Sequence, residues 1–257
     1  MKGLSLKVER PDIISNNLSF RPGQWLDFFI PGEAQVGGFS MCSAPATLQS
    51  DGLIDLSVKF STWPPAHWIH TQCQEGDKIR FRFGGDFFYD ETQYPADHSL
   101  LLVAGGVGIN PLYSIIKHVQ HLDHINSGQG PSQVSLLYSA ASSDELIFRD
   151  DIDKIKTISS QYFVTRQAGL EDDDTNNRRI NKDDIEKCLS MSDSARTVCY
   201  LCGPPQMVDT VREWLRDIGI SNSMIKYENE QYDFIKQKKK YKMPSIRAIC
   251  DQAWCKK

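Results

Sequence analysis

Two short stretches hold the residue types that nucleotide chemistry needs. In AGGVGINP, residues 104–111, Gly105, Gly106 and Gly108 follow the apolar run SLLLV and precede Asn110 and Pro111. Glycine lets a backbone take left-handed angles and come close to a bulky anion. Asn110 is expected to cap the next helix, and Pro111 suits its first turn, where a missing N–H costs nothing. The N–H groups there, with the helix dipole behind them, face an anion. Val107 and Ile109 complete the turn. This is the outline of a pyrophosphate site, although a glycine turn with no ligand has the same composition.

The second stretch is YLCGPPQMVD, residues 200–209. Gly203, Pro204 and Pro205 force a tight turn that leaves Cys202 at its lip and Met207 close behind. Cys202 reads either as a site thiol or as a small buried core residue. Cys199 and Cys202 form a lone C-x-x-C on a strand end, without the second pair that a zinc site needs. No metal site is expected.

Both turns must sit on a framework. From Ser99 onward, apolar runs alternate with amphipathic ones: SLLLVAGG before PLYSIIKHVQHL, VSLLYSA before ELIFRDDIDKIKTI, YFVTR before KDDIEKCL, and TVCYLCG before PQMVDTVREWLRDIG. Continuous apolar strands alternating with helices predict a parallel sheet covered on both faces. The two turns then share its carboxyl edge, where open α/β sheets bind ligands. The first ~95 residues read differently. Ile54, Leu56, Val58 and Phe60 alternate with Asp55, Ser57 and Lys59, and Ile79, Phe81 and Phe83 alternate with Lys78, Arg80 and Arg82. Period two predicts half-buried antiparallel strands. With LSLKV, WLDFFIP and GGFSMCS they suggest a small barrel, with AHWIHTQC as a short helix. The expected division is a β-barrel over 1–95, a Rossmann-like nucleotide-binding α/β domain over 96–228, and a divergent basic tail over 229–257.

Composition narrows the class. The chain has 257 residues, 40% of them hydrophobic, and a net charge of -4, which gives no whole-protein surface for nucleic acid or membrane. No apolar run reaches the ~18 residues of a membrane span. Seven scattered cysteines fit a reducing compartment better than a disulfide scaffold.

GGVGINP resembles the GGxGIxP motif of the ferredoxin-reductase-like flavoprotein family. CGPPQM matches its CGPPxM motif, and FRPGQWLDFFIPG is similar to its FxPGQxxxxxIP strand–turn–strand. The resemblance runs from about residue 4 to 228. It implies a flavin barrel followed by a pyridine-nucleotide domain, with hydride passing from the nicotinamide to a flavin and on to an unidentified acceptor. It implies that Gly105, Gly106, Gly108 and the Ile109 amide hold the nucleotide phosphates. Cys202 would then lie beside the nicotinamide, with Gly203, Pro204 and Met207 shaping its bed. On the flavin side it implies FAD, with Phe39 stacking on the ring, Ser40 reaching its reactive nitrogen, and Met41 and Cys42 alongside. The resemblance also implies a mitochondrial location, although no targeting peptide precedes the first strand; the chain as given would be cytoplasmic.

Departures from the family pattern fall on the flavin half. The family's R-x-[YF]-[ST] reads Gly37, Gly38, Phe39, Ser40, so the phosphate-pairing arginine is missing. Its G-x-x-S reads Trp63, Pro64, Pro65, Ala66, with His67 and His70 nearby. Loose flavin binding is therefore expected. The family's first barrel strand is absent before LSLKV, which predicts an unpaired edge. Tyr232 or Phe234 is a candidate cover for the flavin, and Lys236–Lys242 form a basic cluster, read as solvated. For the nucleotide, residues 140–144 carry Asp144 and no cation, which favours NAD over NADP, with Arg166 able to swing in. An NAD(P)-binding sensor without flavin turnover is the competing reading.

Overall fold

A computed structural model describes residues 1–8, 17–30, 32, 34–125, 128–167, 174–190 and 192–229, and the backbone of 246–254. Tyr232, Phe234 and the Lys236–Lys242 cluster lie outside the described residues. The chain forms two compact units. One takes in Met1–Tyr89, Tyr113–His121 and the last strand; the other takes in Asp90–Leu112 and the described residues from Leu122 to Asn229.

The first unit is an antiparallel sheet. Its strands are β1 (Lys2–Lys7), β2 (Trp25–Phe29), β3 (Gly37–Ser40), β4 (Leu53–Val58), β5 (Lys78–Gly84) and β12 (Ile246–Trp254), in the order β3-β2-β5-β12-β1-β4. A bridge from Met41 to Leu56, and the Cys42 N–H donating to the Asp55 carbonyl at 2.9 Å, bring the end of β3 onto β4, so the two ends of the row meet. The alternation read in the sequence is the cause of the core. Ile54, Leu56, Val58, Ile79 and Phe81 are buried together with Leu4, Leu6, Leu26 and Phe28. Phe60 falls outside that pattern. Strand β4 stops at Val58, and Phe60 is 56% exposed. The motif residues Pro22, Gly23 and Gln24 tie β2 to β5: Gly23 has φ +100°, and the Gln24 side chain donates to the Gly85 carbonyl at 2.9 Å. Two helices accompany the sheet, α1 (Pro45–Asp51) and α2 (Pro64–Thr71).

The expected open edge at β1 is not there. β12 pairs with β1 on one side and β5 on the other, so β1 is flanked by β12 and β4. Within residues 229–257, expected to be a divergent basic tail, Ile246–Trp254 is thus a strand of the sheet. Ile246, Ala248, Cys250 and Ala253 stand in register with the buried Phe81, Ile79, Leu6 and Leu4. A register shift between Ser5 and Leu6 makes that possible by leaving one residue of β12 unpaired. Without it, Gln252 rather than Ala253 would stand opposite Leu4.

The second unit is a parallel sheet in the order β11-β10-β6-β7-β8-β9. Its strands are β6 (Ser99–Gly105), β7 (Gln133–Ala140), β8 (Ile158–Val164), β9 (Thr175–Asn176), β10 (Thr197–Gly203) and β11 (Ile225–Asn229). Every residue of β6 and β10 is buried, as expected for strands covered on both faces. Helices α3 (Ile109–His124), α5 (Lys182–Leu189) and α6 (Pro205–Ile218) follow β6, β9 and β10. The stretch ELIFRDDIDKIKTI does not form the expected long helix. It gives a short 3₁₀ turn and a four-residue α4 (Arg149–Ile152), because Phe148 takes a left-handed φ of +64° at the start of α4.

Helix α5 begins with a reciprocal cap. Asn181 Oδ1 accepts from the Asp184 N–H at 3.0 Å, and Asp184 Oδ2 accepts from the Asn181 N–H at 2.9 Å. Arg178 donates to both Asp184 oxygens, at 2.6 and 2.7 Å. Burial pushes the Asp184 carboxyl up, but the Arg178 fork and the Asn181 amide outweigh it and hold it below the usual carboxylate range. A carboxyl lowered in the folded state stabilises above its unfolded pKa of about 3.9 and stops doing so as pH falls through its folded value. Asp184→Asn is expected to cost about 1–3 kcal/mol at pH 7. Denaturant melts across pH should show the gap between parent and variant closing below about pH 4.

Candidate functional site

Chain order decides where a ligand can enter the second unit. From β6 the sheet grows through β7 to β8 on one side; the chain then returns to lay β10 on the other side of β6. The strands following β6 and β10 therefore depart in opposite directions, and a crevice opens at their carboxyl ends. Both motif turns lie there: Cys202 is in register with Ala104, which sets Gly203 beside Gly105.

The glycines of the two turns do different work. A Cβ on Gly108 would overlap the Cys202 carbonyl and come 2.8 Å from the Gly203 nitrogen. One on Gly203 would lie 2.9 Å from the Gly105 Cα and nitrogen, and one on Gly105 would lie 2.7 Å from Pro204 and 2.8 Å from the Met207 sulfur. Gly105, Gly108 and Gly203 thus let the two turns interlock. Gly106 differs: its φ is +56°, and a Cβ there would meet nothing within 4 Å. It is the place where an anion can approach the backbone.

Residues 106–108 form a 3₁₀ turn that runs into α3 at Ile109. Asn110 is therefore inside the first turn of the helix, which corrects its expected place as the cap; Pro111 follows it, still in that turn. The Ile109 N–H donates back to the Gly106 carbonyl, so it is not an amide aimed at a ligand. Gly106 and Val107 open the turn, where no preceding helical carbonyl is present to accept their N–H groups, and both are half-exposed. Gly108, Ile109, Asn110 and Pro111 are buried behind them. The open left-handed glycine, the turn amides and the dipole of a 16-residue helix fit the diphosphate of a pyridine dinucleotide.

Cys202 is buried at 4% exposure beside this turn, with Pro204 exposed and Met207 half-buried. Cys199 lies three residues earlier on the same strand, hence on the opposite face. It belongs to the apolar core, where burial pushes its thiol up to about 12. The two thiols do not meet, which rules out a dithiol pair. Among the described residues no group of three or more metal-ligating side chains comes together.

Near the end of β7, the Ser143 N–H donates to Gln167 Oε1 at 2.8 Å, and the Arg166 N–H donates to the Ala141 carbonyl at 2.9 Å. Arg166 is exposed, so one cation does stand by a turn that also carries Asp144 and Glu145. The role of Gln167 was not legible in the sequence, because its contact spans 24 residues.

In the first unit, Phe39 and Ser40 are half-exposed, whereas Met41 and Cys42 are buried in the interior at 0% and 5%. Phe39 meets Phe28 edge-on at 5.8 Å and Trp63 at 5.9 Å. Its ring also covers Gly37, where a Cβ would lie 2.5 Å from it. Helix α2 starts Pro64–Pro65 after Trp63, with no side-chain cap. His70 Nε2 is engaged with the Val58 carbonyl at 2.9 Å, and His67 pairs with Thr71 one turn on. This set fits an aromatic ring but not the diphosphate of FAD.

A β-unit followed by a parallel sheet whose switch point carries interlocked glycines defines an oxidoreductase NAD-binding domain within a ferredoxin-reductase-like fold. The oxidoreductase NAD-binding domain family model matches residues 102–213. The chain belongs to the family called oxidoreductase NAD-binding domain-containing protein 1. It is 41% identical to the Danio rerio member, over 89% of this chain and 86% of that one, and 36% identical to the Homo sapiens member, over 87% and 75%. Among solved structures, a ferredoxin NADP+ reductase from Neisseria gonorrhoeae with bound FAD and NADP shares the fold, with TM-score 0.67 and 20% identity over 88% of this chain and 91% of that one. The flavohem-like FAD/NAD-binding domain of nitric oxide dioxygenase from Vibrio cholerae is similar too, with TM-score 0.64 and 22% identity over 82% and 86%.

Proposed function

We propose that this chain oxidises NADH and delivers the electrons to a separate acceptor. The observation that carries the reading is Gly106, open and left-handed between two turns that interlock at the switch point. NADH supplies a hydride from its nicotinamide; with one proton from solvent, an acceptor A becomes AH₂ and NAD⁺ leaves. Gly106 and Val107 receive the diphosphate, while Gly105, Gly108 and Gly203 fix the crevice. Cys202, Pro204 and Met207 form the bed for the nicotinamide, the thiol standing where the ring reacts. Two more distant relatives support an electron-transfer role: the toluate 1,2-dioxygenase electron transfer component of Pseudomonas putida and the propane 2-monooxygenase reductase component of Mycolicibacterium goodii, each 25% identical. The test is NADH-dependent bleaching of a dye acceptor by the purified chain, with parallel calorimetry. Turnover that Cys202→Ala slows at unchanged NADH affinity supports the reading. NADH binding with no turnover of any acceptor supports the competing one, a nucleotide-binding sensor, which the poor donor set around α2 favours.

The nucleotide should be NADH rather than NADPH, by about tenfold in affinity. Ser143's amide is already satisfied by Gln167, and Asp144 and Glu145 repel a 2′-phosphate. Dissociation constants for both nucleotides decide this. NADPH preference that disappears in Arg166→Ala would instead assign the phosphate to Arg166.

A further inference from the structure

We infer that the first unit takes flavin through the ring system alone, as an exchangeable ligand, with no grip on a diphosphate. The inference is independent of the NADH site and concerns the group that the fold would otherwise hold permanently. A flavin dinucleotide brings two negative charges, and a protein that retains it must answer them with cations or N–H donors. The described residues 37–42 and 63–66 contain no arginine or lysine. The start of α2, where a helix normally offers its first N–H groups to an anion, is Pro64–Pro65, and neither has an N–H. The His67 N–H is spent on the Trp63 carbonyl at 2.9 Å. Ala66 has a side chain buried in the core, so no hydroxyl placed there would face outward. What remains there is the Ala66 N–H, the neutral donors of the exposed Ser61 and Thr62, and the exposed Lys59, which already has a partner of its own. Lys2 serves the other end of the helix, its Nζ donating to the Ile69 carbonyl at 2.6 Å.

Gly37 is more than a missing arginine. With the Phe39 ring 2.5 Å from its would-be Cβ and Pro65 3.0 Å away, any side chain at 37 displaces Phe39. The chain has exchanged a cation for aromatic packing. What it keeps is two half-buried aromatic side chains, Phe39 and Trp63, with Ser40 beside them. Aromatic faces suit a flat heteroaromatic ring and are indifferent to what hangs from it.

The experiment is a fluorescence titration of the full chain with riboflavin, FMN and FAD, together with calorimetric titration of NADH on the same sample. The three flavins should bind within about threefold of one another and wash off on gel filtration, since no phosphate contact separates them. The variant Pro64→Ala/Pro65→Ala restores two N–H groups and should tighten FMN and FAD without changing riboflavin. FAD binding about tenfold or more tighter than riboflavin in the parent overturns the inference, as does a folded double variant with unchanged ratios. If no flavin binds while NADH does, the inference falls and the nucleotide reading stands; if flavins bind and NADH does not, the reverse holds.

Discussion

Gly106→Ala should weaken NADH binding by more than about tenfold while leaving a folded protein. The added methyl group meets no protein atom within 4 Å, so it enters only the space a ligand would use. Its cost to the free protein comes from the backbone: φ is +56°, and a left-handed L-residue costs about 1–2 kcal/mol. Thermal melts should therefore fall modestly, and calorimetry should show the larger loss in affinity. Gly106→Val lies further along the same line, because a branched side chain both tolerates that φ less well and fills more of the approach. Unchanged NADH affinity in a folded Gly106→Ala protein removes this turn from the nucleotide site.

Gly108→Ala should act in the opposite way, on the fold first. Its methyl group would overlap the Cys202 carbonyl, and a backbone atom inside a fully buried strand has nowhere to retreat. The expected destabilisation is about 3 kcal/mol, at the upper end for overpacking. Gly203→Ala should behave alike, with φ +153° and the Gly105 backbone 2.9 Å away. Denaturant unfolding decides it. A Gly108→Ala protein within about 0.5 kcal/mol of the parent would mean that the two turns do not interlock.

These two results separate glycines that the motif presents as equals. GGVG told where glycine is required but not why at each position, since the partner of Gly108 is Cys202, 94 residues further on. The parallel sheet was legible because strands covered on both faces must be apolar throughout, and SLLLVAG and TVCYLCG are. The barrel strands were legible from period two up to Val58, where the alternation continued to Phe60 but the ladder did not. Ring contacts were not legible. Nothing local says that Phe39 folds over Gly37, or that the glycine exists to admit it. Asn110 is not the cap of α3, because a 3₁₀ turn advances the helix to Ile109. Above all, IRAICDQAW looked like part of a basic tail, since its pattern becomes that of a strand only against β1 and β5, and only with one residue left unpaired.

That last strand also sets a timetable. Gly3 pairs with Trp254, so β1 waits until the chain has been made as far as residue 254 before one of its two ladders can form. Chains leave the ribosome at about 5–20 residues per second, which keeps the β1 and β5 edges uncovered for many seconds of synthesis. The closure entropy of so long a loop grows only logarithmically and is tolerable once β12 has been made. The exposed interval is the greater hazard. A newborn chain of this protein should depend on something that shields strand edges until β12 emerges.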